Sequence, residues 1–334
     1  MKPFAYTSPR ALDDAVALLN GGDRARGASA KLLAGGTDLL TLMKADLIAP
    51  DQVIDIKRLA ELHDRIEDGP DGLTIGALTT LTQIEEHPLI AKRYPALQAA
   101  ASLAATPQLR NMATIGGNLL QRPRCWYFRN PRVQCWLKGG DECQAREGEN
   151  QLHALFDVSP CVAVHPSDPA TALLVLDAVI RLRGAAGERQ VPLSEFFAPP
   201  TADRRLETVI AADELITSVQ LPPLLPGSAN AYVKAMERKV WAFALVGVAA
   251  MVRREGARIV DARLVLGGVA PVPWRVEAAE RILIGAEPTG DVITRAADMA
   301  VADAQPLANN GYKIPLAQAL VRRVLQDLTN ASPT

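Results

Sequence analysis

Four cysteines fall between positions 125 and 161 and none elsewhere. Cys125, Cys135, Cys143 and Cys161 follow the spacing C-x9-C-x7-C-x17-C. Thiols gathered this way admit three chemistries. Structural zinc usually shows a closely spaced cysteine pair, and none is present here. Disulfides need an oxidising compartment, for which the chain carries no signal of its own. A [4Fe–4S] cluster needs four thiolates, which the stretch can supply. Spacing alone leaves the three level.

Two diglycine loops are the other chemical feature. Ala34-Gly35-Gly36-Thr37-Asp38 lies between a short apolar strand and a helix. Glycines there let backbone amides approach a phosphate, and the helix start beyond adds unpaired N–H groups. Thr114-Ile115-Gly116-Gly117-Asn118 repeats the mix of hydroxyl, glycines and amide. Each loop alone reads most simply as a turn. Two in one domain suggest a pyrophosphate held between them. Neither matches the dinucleotide or P-loop fingerprint. The histidines (His63, His87, His153, His165) lack the helical spacing of a metal pair, and no nucleophile elbow is present.

These loops need elements to hold them. Ala30–Ala34, a helix over Asp38–Lys44 and Val53–Lys57 read as a small βαβ unit. Leu73–Ala77 is a strand, and Thr80 with Gln83 has capping-box spacing for the next helix. A helix runs through Pro95–Ala105. Residues 106–160 read as one long irregular, functional loop. A helix from Asp168, strands at Val179–Leu182, Glu214–Leu221, Phe243–Val252 and Ile259–Val269, and closing helices complete the chain. Leu221-Pro222-Pro223-Leu224-Leu225-Pro226-Gly227 reads as a linker. The 334 residues suit two domains. A net charge of -1 argues against nucleic acid and against an anionic membrane surface. The expected compartment is the cytoplasm, with the periplasm open through export on a signal-bearing partner.

The two diglycine loops, together with Leu266-Gly267-Gly268-Val269-Ala270, resemble the FAD-binding subunits of the xanthine dehydrogenase and carbon monoxide dehydrogenase family. The likeness covers nearly the whole chain. It implies an α+β fold: a PCMH-type FAD-binding domain over 1–222, then a smaller α+β domain over 223–334. The first divides into subdomains of about 1–58 and 59–222, with a cysteine-rich cluster loop at 119–161. It implies noncovalent FAD. Leu33, Ala34, Gly35, Gly36, Thr37, Asp38 and Leu39 would wrap the pyrophosphate and ribose, with Thr114, Gly116, Gly117 and Asn118 opposite. Asp168 falls where the family places an acidic FAD ligand, although a helix N-cap fits it too. Lys234 falls near a flavin-proximal segment, although a solvated lysine fits equally.

The resemblance also bears on the cysteines. The run from Asn118 to Cys125, then Cys135, Cys143 and Cys161 to Asp168, is similar to a subgroup that carries an inserted [4Fe–4S] cluster. That subgroup includes the bacterial periplasmic aldehyde oxidoreductases and 4-hydroxybenzoyl-CoA reductase. Arg122, Arg124, Arg129, Arg132 and Lys138 would surround the cluster with positive charge. The implied function is electron transfer within a molybdenum hydroxylase. A large molybdenum-cofactor subunit and a small [2Fe–2S] subunit are the expected partners. An external acceptor takes the electrons, while nucleic acid and membrane are not partners. NAD-linked eukaryotic relatives carry a lysine in the stretch that here reads Trp241–Gly247, and this chain has none. A standalone flavin oxidoreductase and a zinc-stabilised interaction module are the competing readings.

Overall fold

Short apolar stretches, punctuated by glycine and proline, build three sheets. The computed structural model describes residues 1–20 and 29–330, so the last four positions of the expected second domain lie outside the described residues. The first sheet holds β1 (Ala5–Thr7), β2 (Ala30–Leu33) and β3 (Gln52–Asp55) in the order β1-β3-β2. Both pairings are parallel, with Thr7 and Leu32 each opposite Ile54. A parallel pair needs a crossover, and the helix Leu39–Lys44 lies in the one between β2 and β3. This is the βαβ unit the periodicity predicts. The helix starts one residue later than expected, because Asp38 is its N-cap residue.

The second sheet holds β4 (Ile66–Gly69), β5 (Gly72–Gly76), β6 (Val179–Gly184), β7 (Gly187–Pro192) and β8 (Leu215–Leu221). Its order is β4-β5-β8-β6-β7 and every pairing is antiparallel. Helices Leu81–Glu86, Pro88–Arg93 and Pro95–Ser102 fill the connection from β5. The first opens on a complete capping box between Thr80 and Gln83. The next two start on proline, whose missing N–H costs nothing there.

The third sheet, order β12-β11-β10-β9, is antiparallel: β9 (Ser228–Ala235), β10 (Val246–Glu255), β11 (Arg258–Gly267) and β12 (Trp274–Arg275). β10 reads as a continuous apolar run because both its faces are covered. Ala249 and Met251 join the core around the helix Asp168–Val175. Val246, Val248, Ala250 and Val252 join a second core under the helix Lys313–Asn330. This is strand alternation with an apolar partner on each side. Every residue of Asp168–Val175 is buried, the polar Asp168 and Thr171 among them.

Residues 106–160 are more ordered than predicted. Helical turns form at Pro107–Arg110, Ile115–Leu119 and Trp126–Arg129, with a 3-10 turn at Trp136–Lys138. Thr106 and Thr114 cap the first two, accepting from the amides of Leu109 and Gly117. Turns this short leave no readable period in a sequence. Among the described residues, no helix is long and apolar enough to cross a membrane.

Candidate cofactor site

The first diglycine loop is shaped by two glycines with different duties. A Cβ on Gly35 would fall 1.7 Å from the Met112 carbonyl oxygen, so the loop can rest against the segment leading into the second loop. Gly36 holds φ at 72°, in the left-handed region. Among the described residues, no hydrogen bond uses the amides of Gly35, Gly36, Thr37 or Asp38. Four consecutive unclaimed N–H groups at a helix start form a concavity suited to an anion.

The second loop differs. The amides of Ile115 and Gly116 donate to Thr79 O (2.8 Å) and Ala77 O (3.0 Å). Gly117 donates to Thr114 Oγ1 (3.2 Å). Its backbone donors are therefore committed, and it offers a close, rigid wall. Asn118 Oδ1 accepts from Ser167 Oγ (2.5 Å), which ties this loop to the start of helix Asp168–Val175.

The Asp38 carboxylate faces away from its own helix. It accepts from the Arg122 amide (2.9 Å), Arg129 Nη2 (2.8 Å) and the Arg124 guanidinium. Burial pushes this carboxyl up, but Arg124 and Arg129 outweigh it and hold the group below the usual carboxylate range. The arginines predicted to surround a cluster thus also anchor the first glycine loop. Lys138 reaches Asn130 O (2.5 Å).

Asp168 is not the N-cap. Ser167 takes that place, its hydroxyl accepting from the Ala170 amide (3.0 Å). The Asp168 carboxylate instead accepts from Tyr232 Oη (2.6 Å) and Lys234 Nζ (2.7 Å). The two charged side chains are 6% and 1% exposed, which overturns the solvated reading of Lys234. Burial raises the Asp168 carboxyl against the opposing pull of Lys234 and Tyr232.

All four cysteines are free and share one apolar cluster with Leu42, Phe128, Trp136 and Leu137. Among the described residues, the Ala163 amide donates to Cys161 Sγ (3.5 Å) and His153 Nε2 lies 3.2 Å from Cys125 Sγ. The neighbouring Cys161 thiol draws Cys143 down to about 6, while Cys143 and burial push Cys161 up. Burial pushes Cys125 up to about 11. Among the described residues, no three His, Cys, Asp or Glu side chains are grouped to hold a single metal ion.

A cavity of about 370 Å³ opens where the cysteine-bearing segment, the start of helix Asp168–Val175 and the loop from β9 to β10 meet. Cys125, Trp126 and His153 form one wall, Ser167, Asp168 and Gly268 the floor, and Trp241–Leu245 the far side. Arg124, another wall residue, lies under the Phe243 ring at 5.2 Å. Through Arg124 and Asp38 the first glycine loop reaches the cavity wall; through Ser167 and Asn118 the second one does.

Comparison with known proteins decides the family. Residues 2–224 match the FAD binding domain in molybdopterin dehydrogenase, and 231–328 match the CO dehydrogenase flavoprotein C-terminal domain. The chain belongs to the FAD-binding subunits of the xanthine dehydrogenase and carbon monoxide dehydrogenase family. It is 41% identical to the aldehyde oxidoreductase FAD-binding subunit PaoB of Escherichia coli, over 89% of this chain and 91% of that one. It is 30% identical to the carbon monoxide dehydrogenase medium chain of Hydrogenophaga pseudoflava, over 96% of both. A solved carbon monoxide dehydrogenase from that organism, lacking the Mo-pyranopterin moiety, superposes with a TM-score of 0.77 over 98% of each chain.

For this FAD-binding subunit, the structure brings Gly35–Asp38, Thr114–Asn118 and Asp168 to the neighbourhood of one cavity. Lys234 reaches it only through Asp168. Leu33, Ala34 and Leu39 flank the first loop, with Ala34 O accepting from Lys57 Nζ (3.3 Å). Sequence reasoning missed Tyr232, Ser167 and His153. Tyr232 and Lys234 are two apart on β9 and so share a face, a signal that was readable.

Proposed function

We propose that this oxidoreductase subunit carries FAD in the cavity lined by Asp168 and Trp241–Leu245 and passes electrons from a partner molybdenum subunit to an external acceptor. The carrying observation is the run of four unclaimed amides, Gly35–Asp38, one salt bridge away from the cavity wall. Bound FAD supplies chemistry that joins one-electron and two-electron steps. The residues of this chain do the rest. The Gly35–Asp38 amides hold the pyrophosphate, and Leu33, Ala34 and Leu39 fix the loop's ends. Thr114, Gly116, Gly117 and Asn118 close the other side as a wall. Asp168, braced by Lys234 and Tyr232, forms the cavity floor, and Trp241–Leu245 excludes water. The working division is 1–222 for FAD and 223–334 for the cavity's far side.

We propose that Cys125, Cys135, Cys143 and Cys161 hold a [4Fe–4S] cluster. The donor set fits: four free thiols gathered in one apolar cluster. The iron–sulfur cluster would supply one-electron storage beside the cavity. The proposed partners are a molybdenum-cofactor subunit and a small [2Fe–2S] subunit, a reading supported by relatives that are themselves medium chains or FAD-binding subunits.

The test is the anaerobic purification of the native complex, with FAD and iron quantified and the visible spectrum recorded. One FAD per chain and four irons beyond those of the small subunit are expected. Cys135→Ser should lose the four irons and keep the flavin. A complex without flavin after FAD reconstitution would overturn the first reading; wild-type protein without the extra iron would overturn the second.

A further inference from the structure

His153 stands against Cys125, with ring Nε2 3.2 Å from the sulfur. The ring is held in place. Trp126 meets it edge-on at 5.1 Å and Tyr127 lies at 6.2 Å. Its backbone is pinned too: the amide donates to Asn150 O (2.9 Å), and the carbonyl accepts from Lys313 Nζ (3.0 Å) and Asn310 Nδ2 (3.2 Å). The other ring nitrogen, Nδ1, is buried on the side away from the sulfur.

A cysteine that ligates iron is a thiolate and carries no proton, so the contact between ring and sulfur is a hydrogen bond only with the proton on Nε2, where sulfur accepts it. Cys125 thus has a side-chain nitrogen donor, whereas Cys161 is met by the Ala163 amide. Cys125, Trp126 and His153 also line the proposed flavin cavity.

We propose that His153 is a positioning residue that donates Nε2–H to the Cys125 sulfur and raises the reduction potential of the cysteine-held cluster beside the flavin. This rests on the [4Fe–4S] reading above. Thiolate ligation leaves the sulfurs negative, and adding one electron makes them more so. A fixed donor stabilises the more negative state. One electron arrives, the charge falls by one unit, and the proton stays on Nε2; no bond is made or broken.

The test uses the native complex, an EPR-monitored redox titration and iron analysis. His153→Gln keeps an N–H at similar reach, and His153→Met matches it in length without a donor. In His153→Met the oxidised-to-reduced ratio at a fixed poise should rise about tenfold, which is 59 mV for one electron. His153→Gln should stay within about twofold of wild type. An unchanged potential in His153→Met with iron intact overturns the inference and leaves the cluster standing. Loss of iron from His153→Met alone supports the donor; loss from both variants shows a packing role and overturns it. Wild-type protein lacking the extra iron overturns the cluster reading and this inference together, and iron analysis tells that failure from the others.

Discussion

A methyl group on Gly35 would meet a backbone oxygen that cannot turn aside, whereas one on Gly36 would meet only leucine side chains but force a strained φ. Gly35→Ala should therefore cost about 1–3 kcal/mol by over-packing, and Gly36→Ala about 1–2 kcal/mol by backbone strain. Only Gly35→Ala should also push the loop off its neighbour, weakening FAD binding more than tenfold. Urea denaturation and FAD titration of both variants check this; wild-type affinity in Gly35→Ala would contradict it. The Asp168–Lys234 pair supplies a second prediction. Removing one partner of a buried pair leaves an uncompensated charge, so Lys234→Met should cost about 3–5 kcal/mol. Adding Asp168→Asn to it should restore part of that loss, and a double variant as unstable as the sum would rule the pairing out as the cause. The glycine loops were legible in sequence because residue type and order carry their signal. The partners of Asp38 were not, since Arg122 and Arg129 lie 84 and 91 positions away.

At the scale of elements, legibility followed local chemistry. The capping box at Thr80 and the apolar run of β10 were readable because each is a pattern within a few residues. β7 was missed because an edge strand with polar side chains shows no apolar alternation. The cysteine stretch was read as irregular because its order comes from packing onto distant segments. One such segment, Val162–Ser167, joins the cysteines to helix Asp168–Val175, and His165 fixes it. The His165 amide donates to Ala270 O (2.9 Å), and its ring lies 4.7 Å from Phe197. Burial draws its pKa down to about 3. The folded chain thus keeps this ring neutral to about pH 3, while the unfolded chain protonates it near pH 6.5. In that window the unfolded state binds more protons, so stability falls as pH falls, by about 1.4 kcal/mol per unit for one such group. Above pH 6.5 the group contributes no slope. His165→Leu should flatten the pH dependence between 6.5 and 5 in denaturant melts. An equal slope in wild type and variant would assign the acid sensitivity elsewhere.

Across the whole molecule, the two matched regions are joined by buried polar bonds as well as by apolar packing. Asp168 binds Tyr232 and Lys234 on β9. Asn230 accepts from the Ala96 amide (2.9 Å) and donates to Arg93 O (3.1 Å). From the far end, Lys313 donates to Leu152 O, His153 O and Gly268 O at 2.9–3.0 Å. Tyr232, Ala249, Met251 and Val265 sit in the same core as Leu173 and Ile180. Separating the halves would strand these groups without partners, each at a cost of about 1–3 kcal/mol. The halves are therefore one cooperative unit even before a ligand binds between them. Calorimetry of the apo chain should show a single transition, with calorimetric and van't Hoff enthalpies equal. Saturation with FAD at a hundred times its Kd should add about 2.7 kcal/mol without splitting it. A fragment of residues 1–224 should aggregate and bind no FAD, because it exposes the buried helix Asp168–Val175 and leaves Asp168 without Tyr232 and Lys234. Two resolved transitions in the apo chain, or a soluble FAD-binding fragment, would show that the cavity is assembled by a loose interface, and the electron path would then depend on how the domains dock.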